Sequence, residues 1–203
     1  MTRRIETAIL ISGRGSNMAA LIEAARAPDY PAHIGVVVAD RAEAGGLALA
    51  REAGVEALAL DAKALGGKTA FESALDAALR ARRIELICLA GFMRILSPDF
   101  VGRWPALNIH PSLLPAYKGL DTHARALADG VREHGCTVHW VAPELDSGEI
   151  VAQARVPVRA GDDPDRLAAR VLVAEHALYR SALAEVSRRL LAGGGRLTRS
   201  AAR

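Results

Sequence analysis

Aromatic residues and cysteines are scarce in this sequence. Only 4% of its 203 residues are aromatic, and only two are cysteines. The core must therefore be built mostly from Ala, Leu, Val and Ile, which the 51% hydrophobic share supplies. Cys88 and Cys136 lie far apart in apolar, strand-like runs, and this setting favours buried thiols over a disulfide or a nucleophile.

Long apolar runs and clusters of like charge are missing as well. No segment approaches the ~20 apolar residues that a bilayer-spanning helix requires, so we expect no membrane association. The first apolar run is too short for a signal peptide and has the wrong flanks, so we expect a cytoplasmic protein. The formal net charge is +3, and the arginines are spread among acidic residues. This balance argues against a nucleic-acid-binding surface and suits a small anionic substrate.

Strand-like and helix-like segments alternate through the first ninety residues. The predicted strands cover residues 8–12, 33–40, 55–60 and 84–90, and the predicted helices cover residues 18–26, 44–53 and 69–83. Such alternation predicts a parallel, doubly wound α/β sheet of the Rossmann-like kind.

The second half of the chain follows a different pattern. Strands are predicted at 106–109, 136–141 and 151–158, and helices from Ser97 onward, at 123–129 with Thr122 as cap, and at 164–191. Pro157 has no backbone N–H to donate, so the last strand must be antiparallel or at an edge. We expect a mostly parallel sheet with an antiparallel C-terminal part and a long C-terminal helix. No linker is visible, which predicts a single domain over residues 1–192 and a frayed tail over 193–203.

A glycine-rich turn follows the first predicted strand, with the sequence G-R-G-S-N at residues 13–17. Such a turn presents backbone N–H groups and a positive helix end to an anion, and Ser16 and Asn17 add side-chain donors. We interpret it as a phosphate site, with a tight turn that binds nothing as the alternative. Met18 replaces the third glycine of the dinucleotide fingerprint, and no Walker lysine follows. Asp40 ends the second strand and keeps a dinucleotide-binding alternative open.

Asn108 and His110 stand two residues apart on a short predicted strand that Pro111 must end. Alternation along a strand places both side chains on one face, at the carboxyl end where open α/β sheets bind ligands. The alternative is a half-buried histidine with a purely structural role.

The loop P-E-L-D-S-G at residues 143–148 adds Asp146 to this pair. A histidine moves protons near neutral pH, a nearby carboxylate keeps it cationic, and an asparagine amide donates to an oxyanion. Ser112 lies near but has no G-x-S-x-G elbow, and no H-E-x-x-H motif or Cys/His cluster indicates zinc. We therefore expect direct group transfer without a covalent enzyme intermediate and without a metal.

The apolar segment M-R-I-L at residues 93–96 follows the fourth predicted strand directly. An apolar segment at a strand's carboxyl end suits a pocket for a flat ring, although ordinary loop packing is an equal alternative. Lys68 is either a ligand contact or a solvated lysine.

Taken together, these motifs resemble those of the folate-dependent formyltransferases. The active-site run N-I-H-P-S-L-L-P and the later D-S-G loop carry the resemblance. Four further motifs appear in order and resemble those of the enzymes that formylate phosphoribosylglycinamide. They are S-G-R-G-S-N, A-G-F-M-R-I-L-S, H-G-C-T-V-H and A-E-H-A-L-Y. The likeness covers residues 8 to about 180.

The resemblance implies a role for each motif. Gly15, Ser16 and Asn17 would hold the substrate phosphate, and Glu175 would lie near the substrate amine. Asn108, His110 and Asp146 would be catalytic. The half of the chain at about 1–100 would bind phosphate, and the half at about 101–192 would supply the folate and catalytic residues.

The implied formyl donor is 10-formyltetrahydrofolate, a co-substrate. Lys68 would meet its glutamate end, and the residues around its pteridine would be Met93, Arg94, Ile95, Leu96, Asn108, Ala142, Pro143, Glu144, Leu145 and Asp146. Leu172 stands where some relatives carry a polar substrate contact. The expected partners are two small molecules, acting on a monomer or homodimer.

Three alternatives remain at this stage. A formyltransferase for methionyl-tRNA or a nucleotide sugar would share the motif, but we expect an additional domain and a basic face for the tRNA enzyme. Formyltetrahydrofolate hydrolase would share it as well, with a regulatory domain ahead of the first strand. A nucleotide-binding module without chemistry would bind through Asp40.

Overall fold

Residues 3–193 are described by a computed structural model, in which they form seven strands and six helices around one sheet. The strand order is β3-β2-β1-β4-β5-β6-β7. The strands are β1 (Ile5–Ile11), β2 (Ala32–Ala39), β3 (Ala57–Ala59), β4 (Leu86–Leu89), β5 (Ala106–His110), β6 (Glu133–Trp140) and β7 (Ile150–Pro157). Strands β1 to β5 pair in parallel, and β6 and β7 pair antiparallel. The predicted mostly parallel α/β sheet with an antiparallel C-terminal part is confirmed.

Helices cover both faces of this sheet. They are α1 (Ser16–Ala25), α2 (Gly46–Glu52), α3 (Lys68–Ala81), α4 (Pro98–Arg103), α5 (Thr122–Ala128) and α6 (Pro164–Leu191). Helices α1, α2 and α6 pack on one core, and α3 and α4 pack on the other. Along β1, Ile9 and Ile11 belong to the first core and Leu10 to the second. A strand covered on both faces needs this continuous apolar run, which explains the sequence pattern.

The long helix α6 connects the two halves of the sheet. The Asp163 side chain caps its start by accepting from the backbone N–H of Arg166, and Pro164 occupies the first turn. Tyr179 on α6 is fully buried, and its hydroxyl lies 3.1 Å from the backbone oxygens of both Leu89 and Leu107. The hydroxyl thereby fixes the helix against the last residue of β4 and the second residue of β5.

Several predicted element ends need correction. The capping role predicted for Thr122 is wrong, because Asp121 is the N-cap and the Thr122 hydroxyl donates to the Pro111 carbonyl oxygen at 2.8 Å. Helix α3 begins at Lys68, β3 has three residues, and β6 begins at Glu133. Ser97 does cap α4, and β7 is an antiparallel edge strand, as predicted, although it covers Ile150–Pro157 and not 151–158.

No helix within residues 3–193 combines the length and the apolar character needed to cross a bilayer. The predicted tail, apart from its first residue, lies outside the residues that the structure describes.

Candidate active site

Three of the predicted site segments lie at the carboxyl ends of β1, β4 and β5, and the others come from the start of α3, the loop after β6 and helix α6. In the sheet, β1 lies between β2 and β4, so the chain reverses its direction of travel across the sheet at this point. Such a reversal opens a crevice where doubly wound sheets bind ligands. The glycine turn, residues 91–96 and the end of β5 all border it.

The structure brings His110 and Asp146 together. His110 Nδ1 lies 3.4 Å from Asp146 Oδ2, and each side chain is only 7% exposed. The Gly119 backbone N–H donates to the same carboxylate oxygen at 2.9 Å. Asp146 has a left-handed backbone with φ of 47°, a conformation that aspartate tolerates better than most residues. Two chain segments therefore hold this carboxylate beside the imidazole.

The hydrogen bond on the far side of His110 decides which ring nitrogen can act. His110 Nε2 lies 2.9 Å from the Tyr117 carbonyl oxygen. A carbonyl oxygen can only accept, so Nε2 carries a hydrogen that is already in use. The mobile proton of His110 therefore belongs on Nδ1, the nitrogen that faces Asp146.

His139 joins this group. Its Nε2 lies 3.1 Å from Asn108 Nδ2 and 3.7 Å from Asp146 Oδ1, while its Nδ1 lies 2.9 Å from the Trp140 carbonyl oxygen. Burial lowers the pKa of His139. Sequence reasoning placed His139 on a strand but missed its place in the site. The antiparallel register that pairs Asn108 with His139 was not visible without the partner strand.

The glycine turn begins α1 without a side-chain cap. Gly15 has φ of 76°, and a Cβ there would lie 3.0 Å from the Gly46 Cα. The turn therefore requires glycine for both conformation and space. Helix α1 starts at Ser16, and the first N–H groups of any helix lack partners within it. An anion at this turn would meet unpaired donors and the positive end of the helix.

Asn17 and Glu175 are held together inside the site. The Asn17 amide Nδ2 donates to Glu175 Oε2 at 2.8 Å, and both residues are buried. Burial raises the pKa of Glu175, while the hydrogen bond from Asn17 lowers it. The Asn17 carbonyl oxygen Oδ1 is buried and has no hydrogen-bond partner among the described residues. Because its amide nitrogen is engaged, the Asn17 side chain offers mainly an acceptor.

The segment at 93–96 presents an apolar rim. The Met93 backbone N–H donates to the Ser12 hydroxyl at 2.9 Å, while the Met93 and Ile95 side chains are 66% and 64% exposed. Leu96 is buried in the second core, so only its backbone can face a ligand. Leu145 of the acid loop (residues 142–148) is 51% exposed as well.

Charged side chains lie beside this rim. Arg94 lies 3.8 Å from Asp40, and its guanidinium carbon sits 5.4 Å from the centre of the Phe71 ring. Asp40 also lies 3.5 Å from Arg41. The Asp40 carboxylate is thus flanked by two arginines, which weakens its candidacy as a ribose-binding acid. Lys68 is exposed on the first turn of α3.

The acid loop closes back on itself. The Ser147 hydroxyl donates to the Glu144 carbonyl oxygen at 2.9 Å, and the Trp140 N–H donates to the Glu149 carbonyl oxygen at 2.9 Å. The Glu144 carboxylate is 3.5 Å from Lys118. A Cβ on Gly148 would lie 1.6 Å from the Trp140 carbonyl oxygen, so only glycine fits there. Ala142 and Pro143 are the first residues of this loop, which follows β6.

Nucleophilic and metal chemistry find little support among the described residues. Cys88 and Cys136 are buried free thiols, and burial raises the pKa of each to about 12. The Ser112 hydroxyl is buried and donates to the Ala116 carbonyl oxygen. No group of His, Cys, Asp and Glu within residues 3–193 has an arrangement that could hold a metal ion.

Comparison with known proteins gives the family. The sequence profile described as formyl transferase matches residues 5–183. The chain belongs to the formyl transferase family.

Individual formyl transferases match it over most of its length. Phosphoribosylglycinamide formyltransferase of Escherichia coli is 46% identical over 173 residues, which cover 84% of this chain and 82% of that protein. A solved structure of phosphoribosylglycinamide formyltransferase from Brucella melitensis is 51% identical, with a TM-score of 0.88 over 91% of this chain and 96% of that one.

The trifunctional purine biosynthetic protein adenosine-3 of Gallus gallus is 48% identical over 184 residues, 90% of this chain. The chain spans only 18% of that relative's length. The membership and fold that the motifs predicted are confirmed by these matches, whereas the roles of individual site residues stay predictions.

Proposed function

We propose that this formyl transferase moves the formyl group of 10-formyltetrahydrofolate to the primary amine of phosphoribosylglycinamide. The observation that carries the proposal is the convergence of Asn108, His110 and Asp146: Asp146 lies 3.4 Å from His110, and His139 contacts both Asn108 and Asp146. Relatives that match over more than four-fifths of both chains are named for this activity.

The reaction would begin with attack of the amine nitrogen on the formyl carbon. Holding amine and formyl group at one edge of the sheet replaces a bimolecular encounter, which supplies several kcal/mol of the barrier reduction. A new C–N bond forms, and the formyl oxygen becomes an oxyanion. An Asn108 N–H and the proton on His110 Nδ1 are the donors that would stabilise this charge.

Collapse of the tetrahedral intermediate would break the bond from the formyl carbon to N10 of the folate. The attacking nitrogen must lose one proton and N10 must gain one, so the proton balance closes within the site. Asp146, 3.4 Å from His110 Nδ1, would hold the imidazolium and receive or relay the proton from the amine.

The phosphoribosyl part of the substrate would occupy the glycine turn. Gly15, Ser16 and Asn17 would offer backbone N–H groups and the Ser16 hydroxyl to the phosphate. The Asn17 Oδ1 and the Glu175 carboxylate are buried acceptors, so they suit N–H or O–H donors of the substrate and not its anion. Leu172 is half-buried on α6 and cannot supply a polar contact.

The folate would lie against the apolar rim and the acid loop. Met93, Ile95 and Leu145 would cover the pteridine, with backbone groups of Arg94 and Leu96 and residues 142–146 nearby. The positive charges of Arg94 and Lys68 suit the glutamate carboxylates of the folate. We also propose a single domain over residues 1–192, a cytoplasmic location, and a monomer or homodimer.

The proposal is tested with purified protein, 10-formyltetrahydrofolate and phosphoribosylglycinamide, with release of tetrahydrofolate as the signal. Asn108→Ala and His110→Ala should each lower kcat by about 10²–10³-fold, the usual effect of losing an oxyanion donor. Asp146→Asn should lower kcat by a factor in the same range. His33→Ala is the matched control, because His33 is an exposed histidine on β2.

Three outcomes would contradict the proposal. Equal folate release without the amine substrate would make the protein a hydrolase. Transfer to another amine in preference to phosphoribosylglycinamide would reassign the substrate. Near-wild-type kcat in both His110→Ala and Asp146→Asn would remove these residues from the chemistry.

A further inference from the structure

The proposed mechanism asks Asn108 to present an N–H, and nothing in an isolated asparagine guarantees this, because its amide can turn over and present oxygen instead. We propose that His139 is a positioning residue that fixes the Asn108 amide with its nitrogen toward the reaction. The two residues are opposite each other on β5 and β6, and His139 Nε2 lies 3.1 Å from Asn108 Nδ2. This inference rests on the proposed function of the site.

The hydrogen bond at the other ring nitrogen sets the tautomer of His139. Its Nδ1 lies 2.9 Å from the Trp140 carbonyl oxygen, which can only accept. Nδ1 therefore carries a hydrogen. His139 is buried, and that burial lowers its pKa even though the hydrogen bond to Trp140 and the charge of Asp146 oppose the shift, so the neutral ring is favoured at about pH 7. A neutral ring with hydrogen on Nδ1 has only a lone pair on Nε2.

A lone pair on Nε2 determines which end of the Asn108 amide can face it. The amide nitrogen can donate one N–H to this lone pair, whereas the amide oxygen would place two acceptors against each other. Asp146 Oδ1 lies 3.7 Å from the same Nε2, so a second acceptor borders this space. Two acceptors select the NH₂ group of Asn108 and reject its oxygen.

Fixing one N–H leaves the second N–H of Asn108 for the substrate. The amide nitrogen has two hydrogens about 120° apart. When one of them is bonded to His139, the other points away from His139 and can donate to the substrate. Without His139, both amide orientations become accessible. The reversed orientation would set the Asn108 oxygen against the developing oxyanion and raise the barrier.

The kinetic test replaces the acceptor and keeps the ring. His139→Phe should lower kcat between about 10-fold and 10³-fold, up to the full effect of a lost oxyanion donor, with both KM values within about twofold. His139→Gln places a side-chain oxygen where Nε2 was and should recover most of that loss. Thermal unfolding of each variant confirms that it folds.

A double-mutant cycle separates positioning from a general structural effect. In the Asn108→Ala background there is no amide to orient, so adding His139→Phe should change kcat by less than about twofold. Independent, multiplicative losses, or an unchanged kcat in His139→Phe alone, would overturn the inference.

A second measurement does not depend on turnover. Nitrogen NMR of protein labelled at the histidine rings should show His139 neutral, with its hydrogen on Nδ1, at about pH 7. A hydrogen on Nε2, or an imidazolium, would overturn the inference even if the enzyme is fully active. Absence of formyl transfer by the wild-type chain would overturn the proposed function, while the NMR result still decides the tautomer.

Discussion

Glu175 is a carboxylic acid that the fold buries against the Asn17 amide. Burial raises its pKa in the folded chain, whereas in the unfolded chain it ionises in its ordinary range near pH 4.3. As the pH rises, the unfolded chain loses this proton first, so the free energy of unfolding falls until the folded chain has ionised too. The buried carboxyl therefore makes the free energy of unfolding lower at neutral pH than at acid pH.

The first prediction follows from this decrease in the free energy of unfolding with rising pH. Glu175→Gln keeps an oxygen for the Asn17 N–H and removes the charge, so it should raise Tm at about pH 7 and change it little at about pH 4. It should also raise KM for phosphoribosylglycinamide by about tenfold or more, because the proposed hydrogen bond from the substrate to the Glu175 carboxylate would be weakened. Thermal unfolding and initial rates measure both effects.

Glu185→Gln is the matched control on the same helix, because Glu185 is exposed and its carboxylate pairs with Arg189 one turn away. Its effect on stability should stay within about 0.5 kcal/mol. A lower Tm for Glu175→Gln than for the wild type at neutral pH would refute the argument.

Some of these side chains could be read from the sequence, and others could not. The spacing of Asn108 and His110 on a strand that ends at a proline depends on local geometry alone. It was sufficient to place both residues at the carboxyl end of β5. Leu167, Val171, Glu175 and Tyr179 recur every four residues on the buried side of α6. That recurrence could have placed Glu175 inside the protein. His139 could not be found this way, because its role depends on pairing across two strands.

The start of α4 ties residues 91–96, which border the proposed folate site, to the second core. The Ser97 hydroxyl accepts from the Phe100 N–H at 3.2 Å and donates to the buried carboxylate of Glu72, which also accepts from the Ser97 N–H at 2.7 Å. Residues 91–96 end at this cap, so their backbone is fixed at both the Ser12 and the Ser97 contacts.

We therefore expect Ser97→Ala to destabilise the protein by about 1–2 kcal/mol, from the lost cap and the partly unpaired Glu72 carboxylate. KM for 10-formyltetrahydrofolate should rise, and KM for the amine substrate should not. Urea unfolding and two-substrate kinetics test this. Ser181→Ala, at an exposed serine of α6, is the control. Equal changes in both KM values would show that the cap does not act on the folate segment alone.

Element types were predictable here and element ends were less so. Pro157 predicted an edge strand correctly, because the lack of a backbone N–H depends on that residue alone and not on its neighbours in the fold. The start of β6 at Glu133 depends instead on pairing between Glu133 and Pro157. The polar residues at the start of β6 give no sequence pattern that predicts this pairing. Likewise Thr122 matched the composition of a cap, but its hydroxyl had a competing acceptor on Pro111 that lies 11 positions away.

Several histidines across the molecule are buried or partly buried. Burial lowers the pKa of His123 and His139, and it lowers that of His134 to about 4. His134 and His123 lie 3.2 Å apart, which adds repulsion between their protonated forms. In the unfolded chain these side chains titrate near pH 6.5. Below that pH the unfolded state binds more protons than the folded state.

The free energy of unfolding should therefore fall as the pH drops from about 6.5 toward about 4, opposite in sign to the contribution of Glu175. Urea unfolding at about pH 7, 6 and 5 measures the slope. His134→Gln should flatten it, whereas His33→Gln should not, because His33 is exposed. A free energy of unfolding that stays constant from pH 7 to 5 would contradict the burial of neutral histidines.

The attachment of Asp146 has a last consequence. The same short loop carries Asp146 to the imidazole and Leu145 to the rim where the folate ring would lie. Any displacement of this loop that uncovers the rim also withdraws the carboxylate from His110. In the proposed mechanism, an enzyme with this loop open would be inactive, so a bound formyl donor would not be hydrolysed before the site has closed around it.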